Sequence, residues 1–172
     1  GSSYLYRAYH AMPDLRGPDA FPTGAIHGMV AMMKRLREQV LGEGGGHAAC
    51  VFDAKGPTFR DDWYPEYKAQ RDAQPEDLTR QIPLVHEIVD AFRIPVLEVP
   101  GCEADDVIAT LVARAPQQAH VTIVSTDKDL MQLVSDCVIM YDTMKDKKIG
   151  RAEVLEKFGV PPDKVIEVQS LI

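Results

Sequence analysis

The chain has 172 residues, 45% hydrophobic and 26% charged, which is the profile of one globular domain long enough to bury a sizeable core. No apolar run approaches the ~20 residues of a bilayer-spanning helix, and no signal-peptide pattern opens the chain. A net charge of −7 argues against plain polyanion binding, which calls for cations, unless the acids gather around metal ions that reverse the local sign.

The first stretch, GSSYLYRAY, predicts a short helix carrying Tyr4, Leu5, Arg7 and Ala8, with Ser2 or Ser3 placed to cap it. Pro13 to Pro22 is a loop rich in Pro, Gly and Asp. Thr23 is then expected to cap a long helix, because Ile26, Met29, Val30, Met33, Leu36 and Val40 recur at helical spacing until the glycines of 42–46 end it. His47 to Asp53 reads as a buried parallel strand ending in an acid. A segment with interleaved aromatics and cations follows: Phe59, Trp63, Tyr64 and Tyr67 among Lys55, Arg60, Lys68 and Arg71, with Asp61, Asp62, Glu66 and Asp72 between them.

A helix is predicted from Pro75 to Phe92, with Leu78, Ile82, Val85, Ile88 and Val89 inward and Pro83 interrupting it. Pro95 to Val99 is a second strand, followed by the acidic run Glu103-Ala104-Asp105-Asp106 opening a helix to about Ala115. Val121 to Ser125 is a third strand, with Asp127-Lys128-Asp129 at its end and a helix carrying Leu130, Leu133 and Val134 after it. Val138 to Tyr141 is a fourth strand, Lys147 to Gly150 an edge strand, and two short helices, about 151–158 and 161–172, finish the pattern. The three cysteines, Cys50, Cys102 and Cys137, lack C-x-x-C spacing and are odd in number, which suits core filling in a reducing compartment.

Alternating strands and helices imply a three-layer α/β fold with a mostly parallel twisted sheet and helices on both faces. The crevice of such a sheet lies beyond the carboxyl ends of its strands. Asp53, Glu103, Asp105, Asp106, Asp127 and Asp129 all follow strands, so all six are expected at that one edge. Acids in the first turn of a helix also complement its macrodipole, but that account does not reach Asp53, Asp127 or Asp129. Carboxylates so concentrated repel one another unless divalent cations lie between them. All-oxygen ligands suit Mg²⁺ or Mn²⁺ rather than zinc, and an extended backbone would aim Asp127 and Asp129 at one ion. The chemistry that uses two such ions is phosphoryl transfer or phosphodiester hydrolysis. Lys55 and Lys128, each close to a cluster acid, are placed to hold a scissile phosphate. Of the five histidines only His10 and His27 are candidates to approach the crevice.

In order and spacing, GSSYLYRAYHA, PTGAIHG, VFDAKGPTFRDDWYPEYKAQR, PGCEADDVIATL, STDKDLMQLV and KFGVPPDKV resemble the 5′-nuclease domain of bacterial DNA polymerase I, in the flap endonuclease family. The resemblance covers essentially the whole chain as a single PIN-like, resolvase-like domain, with a helical arch at about 57–80. It implies a divalent-metal-dependent 5′-3′ exonuclease and flap endonuclease acting on DNA and RNA primers in replication and repair. Its site would be in the bacterial cytoplasm at the nucleoid, linked to or working beside a polymerase domain. It places Asp53, Glu103, Asp105, Asp106, Asp127 and Asp129 on the family's metal-binding acids, two ions in all. It places Arg60, Tyr64, Lys68 and Arg71 in the arch that threads a single-stranded 5′ end, and Arg7 and Lys55 near the scissile phosphate. Stacking aromatics among backbone-tracking cations have a physical sense there.

The same resemblance leads one to expect a first strand ending in Asp-Gly before Ser2 and a helix–three-turn–helix after Ile172, neither of which this sequence contains. In the arch, Asp72-Ala73-Gln74 stands where the family has a Pro-rich turn. Two other readings follow: a catalytically impaired fragment that binds DNA without cutting it, and a PIN-like ribonuclease with a similar acidic cluster.

Overall fold

The computed structural model of the protein describes residues 1–42, 46–67, 70, 73–143 and 145–171. They form two compact units, Gly1–Ala104 and Asp105–Ile172.

In the first unit, helix α1 (Ser2–Ala11) packs on α2 (Gly24–Leu36), and a π-helical turn, Arg37–Leu41, continues α2. Strand β1 (Cys50–Phe52) leads to a short helix α3 (Phe59–Trp63), then α4 (Glu76–Ala91) and strand β2 (Val96–Glu98). β1 and β2 pair in parallel, with Cys50 opposite Val96 and Phe52 opposite Glu98. The helical periods bury Leu5 and Ala8 of α1, Ala25, Met29 and Met33 of α2, and Leu78, Val85 and Val89 of α4 together with Val51 and Phe52. Gly28 makes the α1–α2 approach possible, since a Cβ there would lie 2.8 Å from the Cβ of Ala8. Pro83 lies on the exposed face of α4, where a carbonyl deprived of its helical donor can bond to water instead.

The start of α2 departs from expectation. The Thr23 hydroxyl does not cap the helix but donates to the Leu15 carbonyl at 3.1 Å. One of the orphan donors of the first turn, the N–H of Ile26, instead reaches Oε1 of Gln81 on α4 at 3.2 Å. Gln81 is only 1% exposed, and its Nε2 donates to the Asp77 carbonyl at 2.8 Å. A buried amide is thus satisfied at both ends, as its burial requires.

The second unit holds most of helix α5 (Ala104–Arg114), strands β3 (Val121–Val124), β4 (Val138–Asp142) and β5 (Lys147–Ile149), then α6 (Arg151–Phe158) and α7 (Val165–Gln169). β3 and β4 are parallel and β5 is antiparallel to β4, as expected of an edge strand. Ile123, Met140 and Ile149 of the strands pack with Leu130, Met131, Val154 and Val165, and Ile108 and Val112 of α5 lie against them. Glu153 accepts the Gly150 N–H at 2.8 Å and so closes the first turn of α6. Gly159 ends α6 in the left-handed region at φ 71°.

Two expectations need correction. The residues after Asp127 form a 3₁₀ helix, Lys128–Leu133, rather than an α-helix. The last helix is a 3₁₀ turn, Pro162–Lys164, followed by α7, rather than one span over 161–172. Among the described residues the strands hydrogen-bond in two sets, β1–β2 in the first unit and β3–β4–β5 in the second. β1 and β2 have three residues each. The parallel character nonetheless holds in two of the three pairings.

Candidate metal and nucleic-acid site

In the first unit two predicted acids stand just beyond the carboxyl ends of parallel strands. Asp53 follows β1 directly. Its Oδ1 accepts the N–H of Ala104, the first residue of α5, at 2.7 Å, and its own N–H donates to Ser2 Oγ at 2.8 Å. Ser2, one of the two serines expected to cap α1, serves the site loop instead, and α1 has no side-chain cap. Glu103 follows β2 by way of a turn at Gly101, whose φ of 80° favours glycine. That turn is tied to the next segment, because Thr58 bridges to Gly101 and the Phe59 N–H donates to the Gly101 carbonyl at 3.0 Å.

Glu103 is a meeting point. Its side chain is 16% exposed, and its Oε2 accepts the Tyr67 hydroxyl at 3.3 Å and lies 3.8 Å from Nη1 of Arg60. Arg60 also sits over the Phe59 ring at 4.5 Å, and Phe59 meets Trp63 edge-on at 5.1 Å. α3 exists here because Thr58 and Asp61 cap each other. Asp61 Oδ2 accepts both the Thr58 N–H at 2.6 Å and its hydroxyl at 2.9 Å. The end of the helix presents Trp63, 80% exposed, and the residue after it, Tyr64, 56% exposed, to solvent. Large rings so exposed mark a contact surface more than a core. Lys55 is exposed in the turn after β1. Arg7 has a buried Nη1 and lies over the Tyr4 ring at 5.5 Å. His10 stacks on Tyr6 and meets Tyr9 edge-on. Lys68 and Arg71 lie outside the described residues.

In the second unit, Asp127 follows β3 and caps the 3₁₀ helix, with its Oδ1 accepting the Asp129 N–H at 3.0 Å. Its N–H donates to the buried Ser125 hydroxyl at 3.0 Å. Asp129 Oδ1 accepts Nε2 of Gln169, from α7, at 2.6 Å. The backbone is extended at Asp127 but enters the 3₁₀ helix at Lys128, so the condition of an extended backbone through both acids is met at Asp127 alone. An Asp before a tight turn takes the nearest orphan N–H, and the turn draws Asp129 into the 3₁₀ helix. Lys128 between them is exposed. Asp105 and Asp106 fill the first turn of α5, half-buried, where the macrodipole favours them.

The donor chemistry is uniform: carboxylate oxygens suited to hard divalent cations. Among the described residues no group of three or more His, Cys, Asp or Glu is arranged to hold an ion. The structure does bring Glu103 together with Arg60. Tyr67, Ser2, Gln169 and Ser125 are the partners that sequence reasoning missed. Tyr67 was visible only as one of the interleaved aromatics, and Ser2 and Gln169 carry no local signal because their bonds span 51 and 40 positions. Ser125, two residues before Asp127, is the one partner a local serine turn could have signalled.

A family model described as "5′-3′ exonuclease, N-terminal resolvase-like domain" matches residues 1–159. DNA polymerase I of Rhizobium leguminosarum is 49% identical over 177 aligned residues, covering 99% of this chain and 17% of the polymerase. A 5′-3′ exonuclease of Aquifex aeolicus is 42% identical and covers the full chain and 59% of its own length. The chain thus spans a minor part of the polymerases it matches. In fold it is similar to a T5 protein co-crystallised with metal ions, at TM-score 0.77 and 20% identity over 99% of this chain and 63% of the other. It is also similar to the T5 flap endonuclease in a complex with DNA and metal ions, at TM-score 0.67 and 19% identity over 92% and 60%. The fold is therefore the resolvase-like, PIN-like α/β fold, and the chain belongs to the 5′-3′ exonuclease N-terminal domain family.

Proposed function

We propose that this chain carries the hydrolytic site of a 5′-3′ exonuclease and flap endonuclease that cuts phosphodiesters at 5′ ends, flaps and RNA primers. The observation that carries this reading is the family match over 1–159, which contains Asp53, Lys55, Arg60, Glu103, Asp105, Asp106, Asp127 and Asp129. Asp53, Glu103, Asp105, Asp106, Asp127 and Asp129 would hold divalent ions, Mg²⁺ or Mn²⁺ and two in number, whose chemistry is to activate water and stabilise the leaving oxygen. The residues of the chain supply positioning. Arg60 offers a planar fork to a phosphate, and Lys55 and Lys128 offer point charges. Arg7 adds a further cation near the scissile phosphate. Trp63 and Tyr64 present exposed rings on which unpaired bases can stack, and Lys68 and Arg71 continue the cation track in sequence.

The segment 57–80 is the arch that receives the single-stranded end. The chain works beside or within a polymerase, at the nucleoid of a bacterial cytoplasm. No helix among the described residues is long and apolar enough to cross a membrane.

The test is cleavage of a 5′-labelled flap duplex in Mg²⁺ or Mn²⁺, run on this chain and on the chain joined to the flanking segments of its longer relatives. Short 5′ products that vanish with a chelator support the reading. Absence of cleavage in both forms overturns it, and binding without cleavage in both favours a DNA-holding role.

A further inference from the structure

Two side chains of one segment end on the same carboxylate oxygen. The Tyr67 hydroxyl donates to Glu103 Oε2 at 3.3 Å, and Arg60 Nη1 lies 3.8 Å from it. Both donors sit on the stretch from α3 to the turn after it, whose start is fixed by the Thr58–Gly101 bridge and the bond from Phe59 to the Gly101 carbonyl. The anchor is therefore two residues from Glu103 along the chain, and the far end is held to Glu103 itself. Any change at that carboxylate acts directly on the segment.

The contacts suit exchange. The Tyr67 bond is long for O–H···O and Nη1 of Arg60 lies beyond hydrogen-bond length, so each of these two contacts is modest. A divalent cation binds a carboxylate oxygen at roughly 2.1 Å. The same oxygen cannot keep a guanidinium close by without placing two cations side by side, which repel. Glu103 is also largely removed from solvent, which strengthens that repulsion.

We propose that Arg60 and Tyr67 form a latch on Glu103 that a divalent cation releases, freeing both donors for the phosphates of a nucleic acid. This rests on the reading of Glu103 as a cation ligand. Cation and latch compete for one oxygen, so removing a latch donor raises the affinity for cation, and binding of cation moves the segment before any nucleic acid arrives. The latch thereby makes the nucleic-acid-binding conformation of α3 conditional on a loaded centre.

Trp63 is the one tryptophan of the chain and lies on the latched segment, so its emission reports on the segment alone. The experiment titrates the chain with Mg²⁺ in the absence of nucleic acid, following Trp63 emission and, in parallel, heat of binding. Wild type is expected to show an emission change that tracks the calorimetric isotherm. Tyr67→Phe and Arg60→Gln, checked for folding by circular dichroism, are expected to bind Mg²⁺ about 3- to 10-fold more tightly, the yield of deleting one modest hydrogen bond in the first and one ion pair in the second from the competing state. Each should start with emission shifted part-way to the loaded value. Glu103→Gln is expected to uncouple emission from Mg²⁺.

Mg²⁺ binding that depends on Glu103 but leaves emission unchanged, or that weakens in Tyr67→Phe, overturns the latch while leaving the cation reading intact. The second result would make Tyr67 an orienting group for the carboxylate. No Mg²⁺ binding, or binding indifferent to Glu103→Gln, overturns both.

Discussion

Asp53 has two separable duties, and substitution can divide them. Its Oδ1 accepts the Ala104 N–H at 2.7 Å. Ala104 is buried and opens α5, so this N–H is an orphan helix donor with little access to water. Asp53→Asn keeps an oxygen for that bond but removes the charge, turning a charge-assisted bond into a neutral one, a loss of about 1 kcal/mol. Asp53→Ala removes the acceptor and leaves the donor buried, a loss of about 1–3 kcal/mol. On the reading of Asp53 as a cation ligand, both variants lose the hydrolytic chemistry alike, by several kcal/mol in the barrier or about a hundredfold or more in rate.

The assays are urea unfolding, with hydrogen exchange of the Ala104 amide as the local readout, and cleavage of a 5′-flap duplex. The expected pattern is Asn about 1 kcal/mol below wild type, Ala below Asn with a faster-exchanging Ala104 amide, and both nearly inactive. If Ala proved as stable as Asn, with Ala104 equally protected, the capping argument would be wrong. If Asn cleaved like wild type, Asp53 would have no part in the chemistry.

Further outcomes follow from the same geometry. Gln81→Met fills similar space but strips the acceptor from Ile26, so unfolding should come about 1–2 kcal/mol earlier, with the Ile26 amide exchanging faster. Unchanged exchange at Ile26 would refute the capping role. Glu153 has its carboxyl held below its ordinary value near 4.5 by the Gly150 N–H it accepts. Its folded-state value is thus lower than its unfolded one, so its contribution is present above about that pH and lost as pH falls through the folded value. Glu153→Gln should therefore differ from wild type in thermal midpoint at neutral pH and converge with it in acid. A gap that persisted at low pH would contradict this. Flap affinity should fall steeply with salt, measured by fluorescence anisotropy, because Arg and Lys contacts to phosphates release counterions. A salt-independent affinity would count against the arch reading of 57–80.

The sequence made the periodic elements legible. The spacing of Leu78, Val85 and Val89 gave α4, and the short apolar runs ending in Asp53 and Ser125 gave β1 and β3. It also exposed the acids after strands, since a carboxylate at a strand end is a local feature. Tertiary partners were not legible. Thr23 looks like a helix cap in every local respect, yet its hydroxyl serves Leu15 while a glutamine 55 residues from Ile26 supplies the acceptor. The tightening of 128–133 into a 3₁₀ helix depends on Asp127 choosing the Asp129 N–H, a choice between equally plausible local geometries. Tyr67 showed as an aromatic among cations, but nothing nearby in sequence points to Glu103, 36 positions away. Patterns of spacing predict faces and ends, while bonds between elements follow from the packing those faces produce.

The central claim is that carboxylates of this chain carry metal-dependent hydrolysis of 5′ ends. Its most direct measurement is cleavage of a 5′-labelled flap duplex by wild type and Asp106→Asn side by side in Mg²⁺. The account predicts 5′ products from wild type and loss of about a hundredfold or more in the variant, with flap binding retained by both. Equal cleavage by the two proteins would contradict it.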